Sequence, residues 1–316
     1  MKLKEYIIVK YSPQDIYIYY RKGIKINNTE ENMAIITSLI RGTSIEELLS
    51  TYNNYIVNNI LSIMYKYNFI RENENKYQNT IEERFIYYLE QYNSEPEKLL
   101  KKLNRACVCI VGVGGIGGNI LQILVSSGIK NFILIDFDKV EYSNLNRQFY
   151  YSIDDIDKYK VDVCKEKLLK FDSTIKCYTF CTKIENQEQL LNVISKHTID
   201  VLVSAADSPI GIRNILKKVA KIIQCAYVEG SLGVDYGKYI FEEPSHLLVD
   251  YENKKIDDNI KVLNKQVPCG SFGATNSIIC SFMAMDIINY LLGVKQWSDG
   301  KKILFDFNEM NYKILD

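Results

Sequence analysis

A glycine-rich turn between two apolar runs is the part of this sequence best suited to chemistry. Its glycines are Gly112, Gly114, Gly115, Gly117 and Gly118. The apolar run Val108–Val111 precedes them, an amphipathic segment follows, and the next apolar run, Phe132–Ile135, ends at Asp136. This order predicts a strand, a glycine turn, a helix and a second strand with an acid at its end.

The arrangement is typical of a nucleotide-binding site. Glycines allow backbone N–H groups to come close to phosphate, and the helix N-terminus adds positive potential. Asp136, at the end of the following strand, is placed to accept hydrogen bonds from ribose hydroxyls. The glycines do not determine which nucleotide binds, because NAD would fit them equally well.

Further polar side chains follow the predicted strands at their carboxyl ends, which is where open α/β sheets bind ligands. Three residues of the run after Asp136 could hydrogen-bond to or pair with phosphates: Asn144, Arg147 and Gln148. Lys160 lies on the next predicted helix, and Asp207 follows the apolar run Val201–Ser204. Simpler roles remain open: Lys160 could be a solvated charge, and Asp138 or Asp207 could cap a turn or a helix.

The elements that position these residues alternate along the chain. After Asp136 we predict helices at 154–170, 187–195 and 209–222, and strands at 175–180, 201–204 and 226–229. Such alternation predicts an α/β fold with a doubly wound, mostly parallel sheet. Beyond Gly233 the pattern favours antiparallel strands at 238–241, 302–307 and 312–315, with one long helix at 274–292.

Residues 1–78 have a different pattern and are separated from the rest by a polar linker. Two short strands, three short helices and a final strand predict a winged-helix domain, so we divide the chain into domains 1–78 and 79–316. DNA binding is one interpretation, but Lys66 is the only basic residue of the candidate recognition helix, Asn53–Lys66. We therefore favour a peptide clamp that pairs a strand of its ligand with a sheet edge.

The composition excludes several classes of protein. Lys and Arg number 39, as do Asp and Glu, which gives no electrostatic case for a nucleic-acid or membrane partner. The start of the chain lacks a secretory signal, and the longest apolar stretch, Ile278–Leu292, falls short of a membrane span. None of the eight Cys forms a C-x-x-C pair, so we expect a cytoplasmic protein without zinc.

Taken together, GVGGIGGN, DFDKVEYSNLNRQ, Lys160 and Asp207 resemble the adenylyltransferases of the ubiquitin-activating-enzyme-like (ThiF/MoeB) superfamily. The similarity covers about 83–316, and the lysine thirteen residues after Arg147 has the family's spacing. An NAD-dependent dehydrogenase would not need the residues that follow Asp136 in this pattern, namely Arg147, Lys160 and Asp207. The resemblance implies ATP and Mg²⁺ as cofactors, and attack of a carboxylate on the α-phosphate to give an acyl adenylate and pyrophosphate.

The resemblance also implies the roles of individual residues. Arg147, Lys160 and Asp207 are the catalytic candidates, with Asp207 as the magnesium ligand. Gly115 is expected against the nucleotide and Asp136 at the ribose. The candidate cofactor-binding residues are Gly112, Gly114, Gly115, Gly117, Asp136, Asp138, Asn144, Arg147, Gln148, Lys160 and Ser208.

Three departures from the family pattern narrow the assignment. The zinc-binding C-x-x-C pairs of sulfur-carrier activators are missing. On the entry helix, which many relatives use to reach a partner subunit's ATP, Arg84 is kept but Tyr87 replaces a second arginine. Cys269 is the single candidate for a thioester-forming cysteine, and a structural thiol is the alternative.

A winged-helix domain joined to this core, without the zinc motif, resembles the peptide-modifying members of the superfamily, such as the microcin C adenylating enzymes. That implies a homodimer that activates a carboxyl group, most simply a C-terminal one, of a ribosomally made precursor peptide in bacteriocin-like biosynthesis. Two alternatives remain open. One is a non-catalytic leader-peptide-binding partner of a cyclodehydratase, and the other is a sulfur-carrier-protein adenylyltransferase.

Overall fold

The computed structural model describes residues 1–72, 75–247 and 270–315. The chain divides into two compact units, Met1–Glu97 and Lys98–Asp316. The division lies later than the boundary of 78/79 expected from the polar linker. Residues 79–97 group with the first unit because Glu90, which is buried, forms an ion pair with Arg71 and accepts a hydrogen bond from Asn68 through its carbonyl oxygen. The functions assigned to the two domains stay predictions.

The first unit contains two small sheets and four helices, and a further helix, α5, begins at its end. The strands are β1 (Lys2–Leu3), β2 (Ile8–Tyr11), β3 (Asp15–Tyr19), β4 (Gly23–Asn27) and β5 (Ile70–Arg71). The helices are α1 (Glu30–Arg41), α2 (Ile45–Thr51), α3 (Asn54–Lys66), α4 (Glu83–Leu89) and α5 (Pro96–Arg105). Strands β2, β3 and β4 form an antiparallel sheet, and β1 pairs with β5.

The second unit is built on an eight-stranded sheet. Its strands are β6 (Cys107–Val111), β7 (Asn131–Ile135), β8 (Lys176–Phe180), β9 (Val201–Ser204), β10 (Ala226–Leu232), β11 (Tyr236–Glu242), β12 (Lys302–Asp306) and β13 (Asn311–Leu315). Their order is β13-β12-β11-β10-β9-β6-β7-β8, with parallel pairing from β10 to β8 and antiparallel pairing from β13 to β10. This confirms the predicted α/β fold with a doubly wound, mostly parallel sheet.

Helices cover both faces of this sheet. They are α6 (Gly115–Ser126), α7 (Lys160–Phe171), α8 (Gln187–Ile194), α9 (Ile212–Ile223) and α10 (Gly273–Leu292). The helix predicted at 154–170 is in fact a short 3₁₀ turn, Ile153–Asp155, followed by α7. Lys160 is therefore the first residue of a helix rather than an interior one, and this difference decides where its side chain lies.

Helix α10 is long and apolar enough to cross a membrane by length and composition alone. However, 61% of its most apolar window is buried inside the protein, where α10 packs against α6, β10 and β11. Its apolar character is therefore that of a core helix.

Asp286 is a fully buried carboxylate in the middle of α10. Its Oδ1 accepts a hydrogen bond from the Trp297 backbone N–H at 2.6 Å, and its Oδ2 accepts from the Ser298 hydroxyl at 2.7 Å and the Ser298 N–H at 3.1 Å. The carboxylate thus fixes the turn that leads from α10 to β12. Replacing a buried acceptor that serves several donors lowers the free energy of unfolding, because the donors cannot hydrogen-bond to water instead.

We expect Asp286→Asn to lower the free energy of unfolding by about 2 kcal/mol, because the amide presents N–H groups to donors that need an acceptor. Urea denaturation measures the change. Asp235→Asn is the matched control, since Asp235 is exposed in the turn before β11. Equal stabilities for the two variants would contradict this account of the buried carboxylate.

Candidate functional site

The glycine turn follows β6 and leads directly into α6. Gly112 has φ of +88°, and a Cβ there would lie 2.6 Å from the carbonyl oxygen of Ala205. A Cβ on Gly117 would lie 1.8 Å from the carbonyl oxygen of Gly112. These two glycines therefore allow the turn to fold tightly, with the helix close against the strand.

A cavity of about 500 Å³ opens at the carboxyl ends of the parallel strands. Its lining includes these sequence-predicted residues: Gly112, Gly114, Gly115, Asp136, Asp138, Asn144, Arg147, Gln148, Lys160, Asp207 and Ser208. Gly117 is the exception and corrects the prediction, because it lies beneath the turn and packs against backbone instead of lining the cavity. The other predicted residues, far apart in sequence, meet at one cavity.

Asp136 is buried at the back of the cavity. Its Oδ2 accepts a hydrogen bond from the Val113 N–H at 2.7 Å, and its Oδ1 accepts from the Asp138 N–H at 2.8 Å. Burial raises the pKa of Asp136, and these two donors together with the charge of Lys160 offset part of that rise. Each carboxylate oxygen keeps a lone pair that a hydroxyl group could use.

Lys160 is held at the cavity wall with only 5% of its surface exposed. Its Nζ lies 3.0 Å from Oδ2 of Asp138, and its backbone N–H donates to the Asp138 carbonyl oxygen at 3.0 Å. The side chain of Asp138 is itself half-exposed, so the ammonium group is oriented without being fully neutralised. The simpler reading of Lys160 as a solvated charge is therefore wrong, and Asp138 orients this lysine.

Arg147 and its neighbours form a second polar wall. The Arg147 Nη1 donates to the Ser143 carbonyl oxygen at 2.7 Å and to Oδ1 of Asn146 at 2.9 Å. No carboxylate of the described residues pairs with Arg147, so its positive charge is available to a ligand. Gln148 is 3% exposed and its Oε1 lacks a hydrogen-bond partner among the described residues, which suits it to accept a bond from a ligand.

Asp207 lines the same cavity, with 92% of its side chain exposed. It does not cap the next helix, because the N-cap of α9 is Gly211. Its Oδ1 is 3.4 Å from Nη2 of Arg213, a residue that our sequence analysis did not single out. The local sequence does not identify Arg213 as a site residue, because the fold of the segment that leads into α9 brings its side chain to Asp207.

Among the described residues, no group of three or more His, Cys, Asp or Glu side chains is placed to hold a metal ion. Magnesium does not need such a cage, since it commonly uses one or two carboxylates together with substrate phosphates and water. The exposed Asp207 beside the cavity fits that pattern of ligation. Cys269, the candidate thioester cysteine, lies outside the described residues.

Asn276 is a lining residue that the sequence analysis missed. It lies buried in the first turn of α10, and its Nδ2 donates to the Phe272 carbonyl oxygen at 2.9 Å. Its Oδ1 lies 2.5 Å from the position that a Cβ on Gly115 would occupy. A side chain at 115 would therefore require the buried Asn276, more than 150 positions later, to move.

Comparisons with known proteins address the fold and the family of the chain. Crystal structures of E. coli MccB with ATP and with MccA-N7isoASN each align with a TM-score of 0.81 and 25% identity, over 100% of this chain and 96% of that one. A sulfur carrier protein adenylyltransferase of Thermus thermophilus is 25% identical over 68% of this chain and 80% of its own length.

A probable molybdopterin-synthase adenylyltransferase of Porphyra purpurea is 25% identical over 71% of this chain and 60% of its own length. The family model described as the ThiF family matches residues 88–316, which contain the whole cavity. This agrees with the superfamily expected from the glycine turn, Arg147, Lys160 and Asp207. The chain belongs to the ThiF family and is an adenylyltransferase.

Proposed function

We propose that the chain uses ATP and magnesium to adenylylate a carboxyl group, most simply the C-terminal one, of a ribosomally made precursor peptide, with release of pyrophosphate. The single observation that carries this proposal is that Lys160, Arg147 and Asp207 line one cavity together with the N-terminus of α6. We place the reaction in the cytoplasm, in the biosynthesis of a bacteriocin-like peptide.

The charges of the cavity suit the reaction. A carboxylate that approaches a polyphosphate is repelled, so the site must supply cations and fixed N–H donors before the bond can form. Lys160 and Arg147 supply positive charge, and the helix N-terminus at Gly114 and Gly115 supplies backbone N–H groups. Magnesium, held by Asp207 and the phosphates, would neutralise the charge that develops on pyrophosphate as it leaves.

Two observations favour a peptide as the substrate. MccB, the microcin C7 biosynthetic enzyme whose structures include complexes with MccA, aligns along this whole chain and not only along the ThiF region. The three-stranded sheet of the first unit also has β2 and β4 as its edges, and a sheet edge can accept an added peptide strand. We therefore propose 1–78 as the peptide clamp, with a winged-helix fold, and 79–316 as the ATP-binding domain of a homodimer.

The test is ATP–pyrophosphate exchange with purified enzyme and synthetic peptides translated from short reading frames next to the gene. We expect exchange that depends on one peptide and on magnesium. Asp207→Ala should lower its rate at least about tenfold, because the metal loses its protein carboxylate. Exchange at an unchanged rate in Asp207→Ala would defeat the assignment, and the absence of exchange with every peptide would defeat the choice of substrate.

Two competing functions give different results in the same assays. A non-catalytic peptide-binding partner of a cyclodehydratase would bind the peptide but not ATP, which calorimetry measures directly. A sulfur-carrier activator, as the Thermus relative is described, would exchange pyrophosphate with a small carrier protein instead of a peptide. The unpaired charge of Arg147 and the burial of Lys160 favour an enzyme that binds a polyphosphate over a scaffold.

A further inference from the structure

The ion pair between Asp207 and Arg213 joins the candidate metal ligand to a cation that lies outside the nucleotide cavity. Nη2 of Arg213 is 3.4 Å from Oδ1 of Asp207 and 3.3 Å from the carbonyl oxygen of Gly230. Both contacts are long, and the Asp207 side chain is largely open to solvent. Such a pair holds its partners weakly, so either could be drawn to a stronger partner.

The backbone that carries Arg213 is fixed, in contrast to its side chain. The hydroxyl group of Tyr227 donates to Oε2 of Glu229 at 2.7 Å, and its oxygen lies 3.3 Å from the Arg213 carbonyl oxygen. Tyr227 is fully buried, which makes it a rigid support. The guanidinium group can therefore change partners while the backbone of Arg213 stays in place.

Arg213 also lines a second, smaller cavity of about 70 Å³ beside the nucleotide cavity. Lys238 and Lys302 lie in the same lining with Glu229, and Ser231 lines both cavities. Within 1–72, 75–247 and 270–315, neither lysine forms an ion pair. Three cations therefore lie near two carboxylates, Glu229 of the lining and Asp207 at Arg213, and the excess of positive charge suits the binding of an anion.

We propose that Arg213 exchanges partners when substrates bind. In the free enzyme it holds Asp207, it loses Asp207 to magnesium when Mg·ATP binds, and it then binds the carboxylate of the incoming substrate. This inference rests on the proposed function and adds a substrate-binding residue to it. No covalent bond of Arg213 forms or breaks.

The physical reason is a competition between two cations for one carboxylate. Magnesium carries two charges and prefers carboxylate oxygen, so a magnesium ion bound by Asp207 would displace the weakly held guanidinium group of Arg213 and would repel it at short range. A freed guanidinium group presents a planar pair of N–H donors that matches a carboxylate. The exchange also sets an order, because a carboxylate that arrives before the metal meets an occupied Arg213 and the negative charge of Asp207.

The first experiment uses the full-length enzyme, magnesium and a non-hydrolysable ATP analogue, without peptide. Arg213→Gln removes the competing cation, so we expect the magnesium concentration that half-saturates analogue binding to fall by about 2- to 5-fold in calorimetry. Lys218→Gln is the matched control, because it removes one charge from an exposed position of the same helix. The control should leave the magnesium dependence unchanged.

The second experiment measures pyrophosphate exchange with the peptide that supports it in the unmodified enzyme. Arg213→Gln should raise the KM for peptide by roughly 10- to 100-fold without raising the KM for ATP. Arg213→Lys keeps the charge but lacks the planar pair of N–H donors, so its KM for peptide should lie between that of the unmodified enzyme and that of Arg213→Gln. If circular dichroism shows that Arg213→Gln does not fold, Arg213→Met, which also removes the charge and keeps a long side chain, replaces it in both experiments.

An unchanged KM for peptide overturns the inference, and so does a magnesium requirement that stays the same or rises. A higher KM for ATP overturns it as well, because that result places Arg213 at the nucleotide. If no peptide supports pyrophosphate exchange by the unmodified enzyme, the proposed function fails independently of this inference. The magnesium dependence of analogue binding then still decides whether Arg213 competes for Asp207.

Discussion

Replacing Lys160 with alanine should lower the rate of peptide-dependent ATP–pyrophosphate exchange by roughly 100- to 1,000-fold, the loss typical of one preorganised charge-stabilising donor. The reason is its position, since Lys160 lies buried at the cavity wall with its Nζ 3.0 Å from Oδ2 of Asp138. An ammonium group held in that way is already oriented before phosphate arrives. Its interaction with the developing negative charge therefore needs little rearrangement.

Lys158→Ala is the matched control for this variant. Lys158 lies two residues earlier, is half-exposed, and approaches Asp155 only to 3.8 Å. Lys158 is exposed and Asp155 keeps a closer partner in Lys167 at 2.6 Å, so the exchange rate should stay within about twofold of the unmodified enzyme. Equal losses in the two variants would show that general positive charge, rather than the buried ammonium group, supports the reaction.

The stability of Lys160→Ala separates catalysis from folding. Asp138 is half-exposed, and the buried Asp136 keeps its two backbone N–H donors, so the free energy of unfolding should change by about 1 kcal/mol or less. Urea denaturation measures this directly. A much larger loss of stability would mean that Lys160 holds the fold, and the kinetic effect would then need another explanation.

The sequence alone predicted the parallel sheet, the glycine turn and Asp136 because each depends on a short local pattern. Strand β4 was missed, since Gly23–Asn27 is brief and follows another strand directly. The exact start of α7 was also missed, because the acids at 154–155 suggested a helix N-terminus that is a 3₁₀ turn instead. Local signals therefore give the kind of element more readily than its boundaries.

The candidate site shows the same limit at the level of side chains. Arg147, Lys160 and Asp207 were found by their order and spacing, but burial and partners are properties of the folded chain. Asn276 and Arg213 reach the site from later segments, α10 and α9, and neither lies in a motif. Contacts between distant segments are set by packing, which a single sequence does not display.

Gly117 is the clearest case of a motif residue whose role differs from that of its neighbours. The spacing of the glycines predicted a cofactor contact at 117, as at Gly114. In the structure Gly114 lines the cavity, whereas Gly117 is buried where α6 approaches the carbonyl oxygen of Gly112. One glycine leaves room for a ligand and the other leaves room for the backbone, so the same substitution should separate the two roles.

We expect Gly117→Ala to lower the free energy of unfolding by about 3 kcal/mol or more, because its Cβ would lie 1.8 Å from the Gly112 carbonyl oxygen and the helix must move away. Gly114→Ala should lose about 1 kcal/mol or less, since the nearest atom to its Cβ is Nε2 of Gln148 at 3.7 Å. Urea denaturation of both variants measures the difference. Stabilities within 1 kcal/mol of each other, as two solvent-facing glycines would give, would contradict the packing role of Gly117.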